Sequence, residues 1–240
     1  MSKLNREGRV SIIVQVYNGE REISKCIERI SKQTYRDIEL VVVNDGSTDN
    51  TLEKIRAIPS IDIVTYPFNK GKGYAFLTGL EIATGDYIIL LDSDLQIRPY
   101  ELPTFLNIMQ IYRADVVIGN KRHPYSYTNY NFTRSIISNT YNLMCRKMFG
   151  IDLRDTQCGF KLFKTSAINK VKDKIKSKRF AFDIEILIAL RENRIRVADA
   201  PVLVERQYSS GSINIKNIWD TFIDTVMVWI RKKEGYYGQE

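Results

Sequence analysis

The first constraint on this chain is a set of continuous apolar, β-branched runs separated by helical segments. Residues 10–18 (VSIIVQVYN), 38–45 (IELVVVND), 61–67 (IDIVTYP), 86–92 (DYIILLD) and 114–122 (ADVVIGNKR) carry Val, Ile and Leu at consecutive positions rather than at every second one. A strand that is apolar on both faces is covered on both faces, as in a parallel sheet. The segments between the runs read as helices. Ile23, Cys26, Ile27 and Ile30 recur at helical spacing in EREISKCIERISKQT, and STDNTLEKIRAI opens with cap residues. KGYAFLTGLEIAT ends at Gly85, the residue expected to close it, and PYELPTFLNIMQIY follows the fourth run. Strands alternating with helices predict a mostly parallel α/β sheet with helices on both faces and right-handed crossovers.

The second half is less regular. Residues 128–150 place Ile136, Ile137, Tyr141, Met144 and Met148 on one helical face. Residues 155–164 (DTQCGFKLFK) read as a turn into a short strand, 181–194 (AFDIEILIALRENR) as a helix, and 197–208 (VADAPVLVERQY) as a strand interrupted at Pro201. No linker divides the chain, so 1–240 is expected to be one domain. A C-terminal amphipathic helix carries Ile215, Trp219, Phe222, Ile223, Val226 and Ile230 as a stripe, between Lys216 and the basic end Arg231-Lys232-Lys233. Packing of that stripe on the core is the simpler reading, with Trp229 and the basic end reaching lipid. The other reading makes residues 213–233 a membrane-surface helix.

In a parallel α/β sheet, ligands collect at the carboxyl ends of the strands. Asn18, Asp45, Asp92 and Asp94 all fall there. Asp92-Ser93-Asp94-x-Gln96 offers two carboxylates and an amide oxygen. Such hard ligands suit Mg2+ or Mn2+ held by one or two carboxylates, water and substrate phosphates. A cation there would offset the charge of a diphosphate leaving group. A solvated turn has the same composition, and a lone D-x-D recurs by chance. Asp45 could accept hydrogen bonds from a nucleobase, whereas Ser47, Thr48 and Asp49 fit a turn and helix cap. NKGKGYA, residues 69–75, sets two glycines and two lysines before a helix and resembles an anion-binding helix N-terminus. It lacks the P-loop spacing, and no G-x-G-x-x-G follows the first strand.

Composition narrows the classes. There are 36 Lys and Arg against 28 Asp and Glu, a formal charge of +8 that suits anionic partners or serves solubility alone. A nucleic-acid module would interleave aromatics with basic residues on one surface; the tyrosines show no such order, so no nucleic-acid partner is expected. The single histidine, His123, excludes a His-rich metal centre. Cys26, Cys145 and Cys158 show no paired spacing and point to a reducing compartment without a disulfide framework. The run from Val10 lacks a signal-peptide pattern, and no stretch is long enough to cross a bilayer. The expected location is cytoplasmic, peripheral on the cytoplasmic face of a membrane.

Taken in order, VSIIVQVYNGE, IELVVVNDGSTDNT, NKGKGYAFLTGLEIATGDYIILLDSDLQ and VVIGNKRHP resemble the family-2 glycosyltransferases of GT-A fold. RKMFGIDLRDTQCGFKLFK, RFAFDIEILIAL and APVLVERQYSSGSINI are similar to the dolichyl- and polyprenyl-phosphate glucose and mannose synthase branch. DTQCGFKLF is most like its glucosyl members, the dolichyl-phosphate beta-glucosyltransferases. The resemblance covers nearly the whole chain. It implies a Rossmann-like GT-A sheet and an inverting, metal-dependent transfer of a sugar from a nucleotide diphosphate to dolichyl or polyprenyl phosphate, with Mg2+ or Mn2+. UDP-glucose is the donor implied first and GDP-mannose second. A family-2 enzyme acting on a glycan hydroxyl is the further alternative, although the processive Q-x-x-R-W signature is absent.

On the matching positions, the resemblance implies that Tyr17 and Asp45 line the base and that Lys72 lies near the donor. Asp92, Ser93 and Asp94 would hold ribose, diphosphate and metal, with Gln96 completing the metal shell. Arg122, Arg134 and Arg206 would face phosphates, and Asp155, in the Asp-x-x-x-Gly-Phe segment, would stand beside the reacting sugar. The implied catalytic set is Asp94, Asp155 and Arg122; Glu185 lies in a helix motif of the glucosyl branch. The chain departs from the family at Gln15, where Pro is usual, at Gly19, where an acid is usual, at Asn44, where Asp is usual, and at Ile213, where Lys is usual. These departures bear on base recognition and on the acceptor-phosphate clamp, and leave the metal motif intact.

Overall fold

The apolar runs become β1 (Val10–Val16), β2 (Ile38–Asn44), β3 (Asp62–Thr65), β4 (Tyr87–Asp92) and β5 (Val116–Asn120). With β6 (Phe160–Lys164) and β7 (Val197–Pro201) they form a seven-stranded sheet of order β3-β2-β1-β4-β6-β5-β7. The computed structural model describes residues 8–94, 96–127, 132–151, 155–204 and 215–238, and the side chains of 132–138 and 215–217 lie outside that description. Every residue of β1 and of β5 is buried, as expected for strands covered on both faces. β1 pairs in parallel with β2 and β4, and β5 with β7, while β6 runs antiparallel between β4 and β5.

The helices are α1 (Ile23–Ser31), α2 (Thr51–Arg56), α3 (Lys72–Ile82), α4 (Leu102–Ile111), α5 (Phe132–Phe149), α6 (Thr165–Asn169), α7 (Phe182–Glu192) and α8 (Ile215–Lys233). The chain lays β1, β2 and β3 outward in one direction, then returns to place β4 on the other side of β1. That reversal opens a crevice at the carboxyl ends of β1 and β4, where open α/β sheets take their ligands. The antiparallel β6 has a consequence for the same edge. Its N-terminal end, rather than its C-terminal end, lies there, so Gly159 and the lead-in from Asp155 come up beside Asp92; Asp92 N donates to Gly159 O at 3.0 Å.

Two expectations are corrected. α3 stops at Ile82, with Ala83 extended, so Gly85 is not its cap. Gly85 instead allows a close approach: a Cβ there would lie 2.7 Å from Arg9 O and from Ser11 N. In α8, the apolar stripe faces outward rather than onto the core. Thr225 and Val228 are buried and Trp229 packs partly buried against the core, whereas Trp219 is 63% exposed and Ile218, Phe222, Ile223, Met227 and Ile230 are exposed with it. α8 is tied to α5 by Tyr141 and Thr225, whose hydroxyls lie 2.8 Å apart, and to α7 by Arg231 on Glu185. No helix of the described residues is long and apolar enough to cross a membrane. The three cysteines are buried free thiols, and burial pushes Cys145 up to about 11 and Cys26 and Cys158 up to about 12, which keeps them protonated and unreactive.

Candidate active site

Asp45 follows β2, and its N–H donates to Val16 O at 2.8 Å, which ties the ends of β1 and β2 together. Its side chain is 4% exposed. The carboxylate accepts from Lys70 N at 2.7 Å and from Gly71 N at 2.9 Å, and its charge, after burial, pushes the Tyr66 phenol upward. Asp45 therefore organises the 68–71 loop that borders the crevice. Gly46, at φ +67°, lets that loop cross so closely that a Cβ would lie 2.3 Å from the Phe68 carbonyl carbon.

The same loop corrects the reading of NKGKGYA as an anion-binding helix N-terminus. Gly73 N and Tyr74 N both donate to Lys178 O, at 2.8 and 3.2 Å, and Ala75 N donates to Gly71 O. The donors that would cradle a phosphate already face protein oxygens. The glycines serve packing: a Cβ on Gly71 would lie 2.5 Å from Lys178 O, and one on Gly73 2.4 Å from Ser177 O.

Lys72 instead points its ammonium group into the sheet edge. Nζ lies 3.0 Å from Asp92 Oδ1 and 3.2 Å from Asp183 Oδ2. Asp183, on α7, also holds Lys161 of β6 at 2.5 Å. The result is an alternating row, Lys161–Asp183–Lys72–Asp92, running from the core to the crevice. Burial opposes the charge on Lys72, yet Asp183 and Asp92 outweigh it and raise its pKa. Burial likewise opposes the charge on Asp183, and Lys161 and Lys72 outweigh it and hold the carboxyl below the ordinary Asp range. Each charge is affordable in the interior because its neighbour is opposite. Asp92 is also met by Gln15 Nε2 at 2.6 Å.

Asp94 sits one turn further on. It accepts from Gln96 N at 3.1 Å and from Gln96 Nε2, and Gln96 Oε1 accepts from Lys121 Nζ at 3.4 Å. Leu91, Asp92, Asp94, Gln96, Ile97, Lys121 and Gly159 line one small pocket. Burial, then the charge of Asp92, pushes the Asp94 carboxyl above the ordinary range, with the Gln96 N–H, Lys121 and Lys72 offsetting part of the rise. Two carboxylates lining one pocket, one raising the pKa of the other, fit a divalent cation, which would relieve their repulsion. Among the described residues no group of three or more His, Cys, Asp or Glu could hold a metal. An ion here would therefore be shared between Asp94, Asp92 and oxygens from outside the protein. Gln96 donates its amide N–H to Asp94, so its oxygen joins such a shell only after the amide turns over.

Asp155 is buried at the turn before β6. It accepts from Lys121 N at 3.0 Å and Gln157 N at 3.2 Å, and lies 3.9 Å from Arg122 Nη1. Arg122 forks onto Asn139 Oδ1 of α5 at 2.9 and 3.1 Å and borders a groove with Asn139, Asn142, Leu143 and Arg146. Tyr17 is exposed at the end of β1, and Ser93 lies partly buried beside Gly19. Asn44 is buried, bonded to Thr65 Oγ1 and Ser47 N. Arg134 lies on α5 with its side chain outside the described residues, as are Arg206 and Ile213 entirely.

The structure thus gathers Asp92, Ser93, Asp94, Gln96 and Lys72 at one edge, with Asp155 and Arg122 close by through Lys121 and the turn after β5. It sets Glu185 apart: that side chain is fully buried behind the site, on Arg231, Tyr237 Oη, Lys176 N and Ser177 N. Lys161, Asp183, Lys121 and Gly159 were not singled out from sequence. A signal for the first two existed, since a lone Lys in GFKLF and an Asp in AFDIEILIAL interrupt runs that are otherwise core.

A seven-stranded, mostly parallel α/β sheet with an acid pair at its switch point is the GT-A architecture. The crystal structure of glucosyl-3-phosphoglycerate synthase from Mycobacterium tuberculosis with Mn2+, UDP-glucose and phosphoglyceric acid matches it with a TM-score of 0.72 at 17% identity, over 97% of this chain and 81% of that one. The family model described as glycosyl transferase family 2 matches residues 11–172, and the chain belongs to that family. It is 29% identical over 211 residues to a dolichyl-phosphate beta-glucosyltransferase of Trichomonas vaginalis, 80% of this chain and 64% of that protein. It is 39% identical over 115 residues to the glycosyltransferase GlyG of Streptococcus pneumoniae, 46% of this chain and 38% of that protein. The chain therefore spans less than two thirds of the length of these two relatives.

Proposed function

We propose that this chain transfers a hexose, glucose first among candidates, from a nucleoside diphosphate sugar to a polyprenyl phosphate such as dolichyl phosphate, with inversion at the anomeric carbon. The observation that carries the reading is the pairing of Asp92 and Asp94 at the crevice with Lys72 and Lys121 behind them. That arrangement suits a diphosphate: carboxylates for ribose and a cation, ammonium groups for the remaining charge. Asp94 and Asp92, joined by Gln96 once its amide turns over, would hold Mg2+ or Mn2+, which when bound supplies positive charge to the leaving diphosphate. In the reaction an acceptor phosphate oxygen forms a bond to the anomeric carbon as the bond to the diphosphate oxygen breaks. The acceptor is already anionic, so no general base is needed; Asp155 and Arg122 serve to place sugar and phosphate. The name of the Trichomonas relative and the Mn2+ and UDP-glucose in the Mycobacterium structure support this choice of donor and acceptor.

The outward face of α8 fits a lipid-borne acceptor. Trp219, Phe222, Ile223 and Met227 are exposed along it, and Arg231, Lys232 and Lys233 close its end. We read it as lying on an anionic membrane, on the cytoplasmic side. Trp219→Glu with Phe222→Glu should lower sedimentation with phosphatidylserine vesicles by about 10- to 100-fold and leave the melting temperature unchanged. Equal sedimentation would remove the membrane role.

The test of the activity is transfer of labelled sugar from UDP-glucose, and separately GDP-mannose, into organic-extractable polyprenyl phosphate, with Mn2+ or Mg2+ and with EDTA. Metal-dependent label in the lipid phase is expected with UDP-glucose. Label with GDP-mannose alone would reassign the donor. No lipid label, with label instead on a hydroxyl acceptor, would retire the polyprenyl phosphate. Gly159→Ala provides a geometric check, because a Cβ there would lie 2.1 Å from Asp92 Oδ2. It should weaken calorimetric UDP binding by about tenfold or more, since Asp92 must turn away; unchanged binding would show that Asp92 does not meet the nucleotide.

A further inference from the structure

Gln15 occupies the centre of the sheet, in register with Val43 of β2 and Asp92 of β4. It is 9% exposed among the aliphatic residues of β1. Only half of its amide is used. Nε2 donates to Asp92 Oδ1 at 2.6 Å, while Oε1 is buried with no hydrogen-bond partner among the described residues. A buried acceptor left unpaired is unfavourable in a folded protein, so such a group calls for a reason other than the fold. The reason is visible in the orientation: turning the amide over would set Oε1 against the Asp92 carboxylate. The side chain serves Asp92 and leaves its own oxygen unsatisfied.

Asp92 is constrained on three sides. Gln15 Nε2 donates to Oδ1 at 2.6 Å, Lys72 Nζ meets both oxygens, Oδ1 at 3.0 Å and Oδ2 at 3.2 Å, and the bare Cα of Gly159 leaves room for Oδ2. The carboxylate stays partly open to the crevice, with 31% of its side chain exposed. We propose that Gln15 is a positioning residue for the nucleotide donor, fixing the rotamer in which Asp92 presents its open edge to the crevice. The inference rests on the functional reading above and deepens it.

The experiment is calorimetric titration of UDP, in the presence of Mn2+, into the wild type, Gln15→Met, Asp92→Ala and the double variant, with GDP in parallel and melting temperatures for each. Met keeps the length of the side chain and removes both polar atoms. Gln15→Met is expected to bind UDP about tenfold more weakly, the effect of one hydrogen bond to a charged group. Its melting temperature should equal or exceed that of the wild type, because the unpaired oxygen is gone. In the Asp92→Ala background the same substitution should change affinity by about twofold or less, because the two residues act as a unit. Wild-type affinity in Gln15→Met would overturn the inference and leave the functional reading standing. So would a tenfold loss that persists without Asp92 and comes with a lower melting temperature, which is the behaviour of a merely structural residue. A wild type that binds neither UDP nor GDP would overturn the reading itself, and the donor role of Gln15 with it.

Discussion

Replacing Asp94 by Ala is expected to lower sugar transfer by about 10²–10³-fold while leaving the melting temperature at or above that of the wild type. The two halves of the result have one cause. Asp94 lies among Asp92, Gln96 and Lys121, where burial and the charge of Asp92 raise its pKa. A carboxyl whose folded pKa is raised above its unfolded value costs the fold stability as pH rises through the unfolded value towards the folded one. Asp94 is thus held against the interest of stability, which fits the cation and diphosphate role proposed for it. Mn2+ binding, followed by electron paramagnetic resonance, should fall together with transfer. Transfer within tenfold of wild type would remove Asp94 from the metal and leaving-group site. A melting temperature several degrees lower would mean that Asp94 serves the fold instead.

Glu185→Ala should act in the opposite way, with a large loss of stability from a residue outside the crevice. Its carboxylate is fully buried and takes four donors: Arg231, Tyr237 Oη at 2.5 Å, Lys176 N at 2.9 Å and Ser177 N at 2.5 Å. Removing it strands a guanidinium, a phenol and two backbone N–H groups. The cost of breaking a buried pair is about 3–5 kcal/mol, a fall in melting temperature on the order of 10 °C for a chain of this size. Because Arg231 is on α8 and Glu185 on α7, the same change should loosen the C-terminal helix, visible as faster hydrogen exchange in α8. Glu185→Gln, which keeps one oxygen acceptor, should lose less. A variant as stable as the wild type would mean that α8 is held by its apolar contacts alone.

Much of the fold was legible because its signals are local. Consecutive Val and Ile residues in VSIIVQVYN and IELVVVND report burial on both faces, and only a covered parallel sheet offers that to strands separated by helices. The acids at the ends of such runs were legible for the same reason, since Asp45 and Asp92 interrupt core where core should continue. Gly71 and Gly73 were misread because a glycine pair before a helix looks the same whether a phosphate or a carbonyl approaches it. The approaching atoms are the Ser177 and Lys178 carbonyls, about a hundred residues away in sequence. The stripe of α8 was misread as core because periodicity identifies an apolar face without saying what covers it.

What the chain's own order of residues determined was the parallel α/β sheet, the helices between its strands and the row of acids at one edge. Each follows from side chains interacting with their near neighbours and with water. What the tertiary structure decided was the direction of β6, which brings Gly159 and Asp155 to that edge. It also decided the pairing of Lys161 with Asp183, of Lys72 with Asp92, and of Gln15 with Asp92. Those contacts join segments tens of residues apart, and their energy depends on distances that no local pattern carries. A buried charge is tolerated only where an opposite one arrives from elsewhere in the chain, and only the folded arrangement says which one arrives.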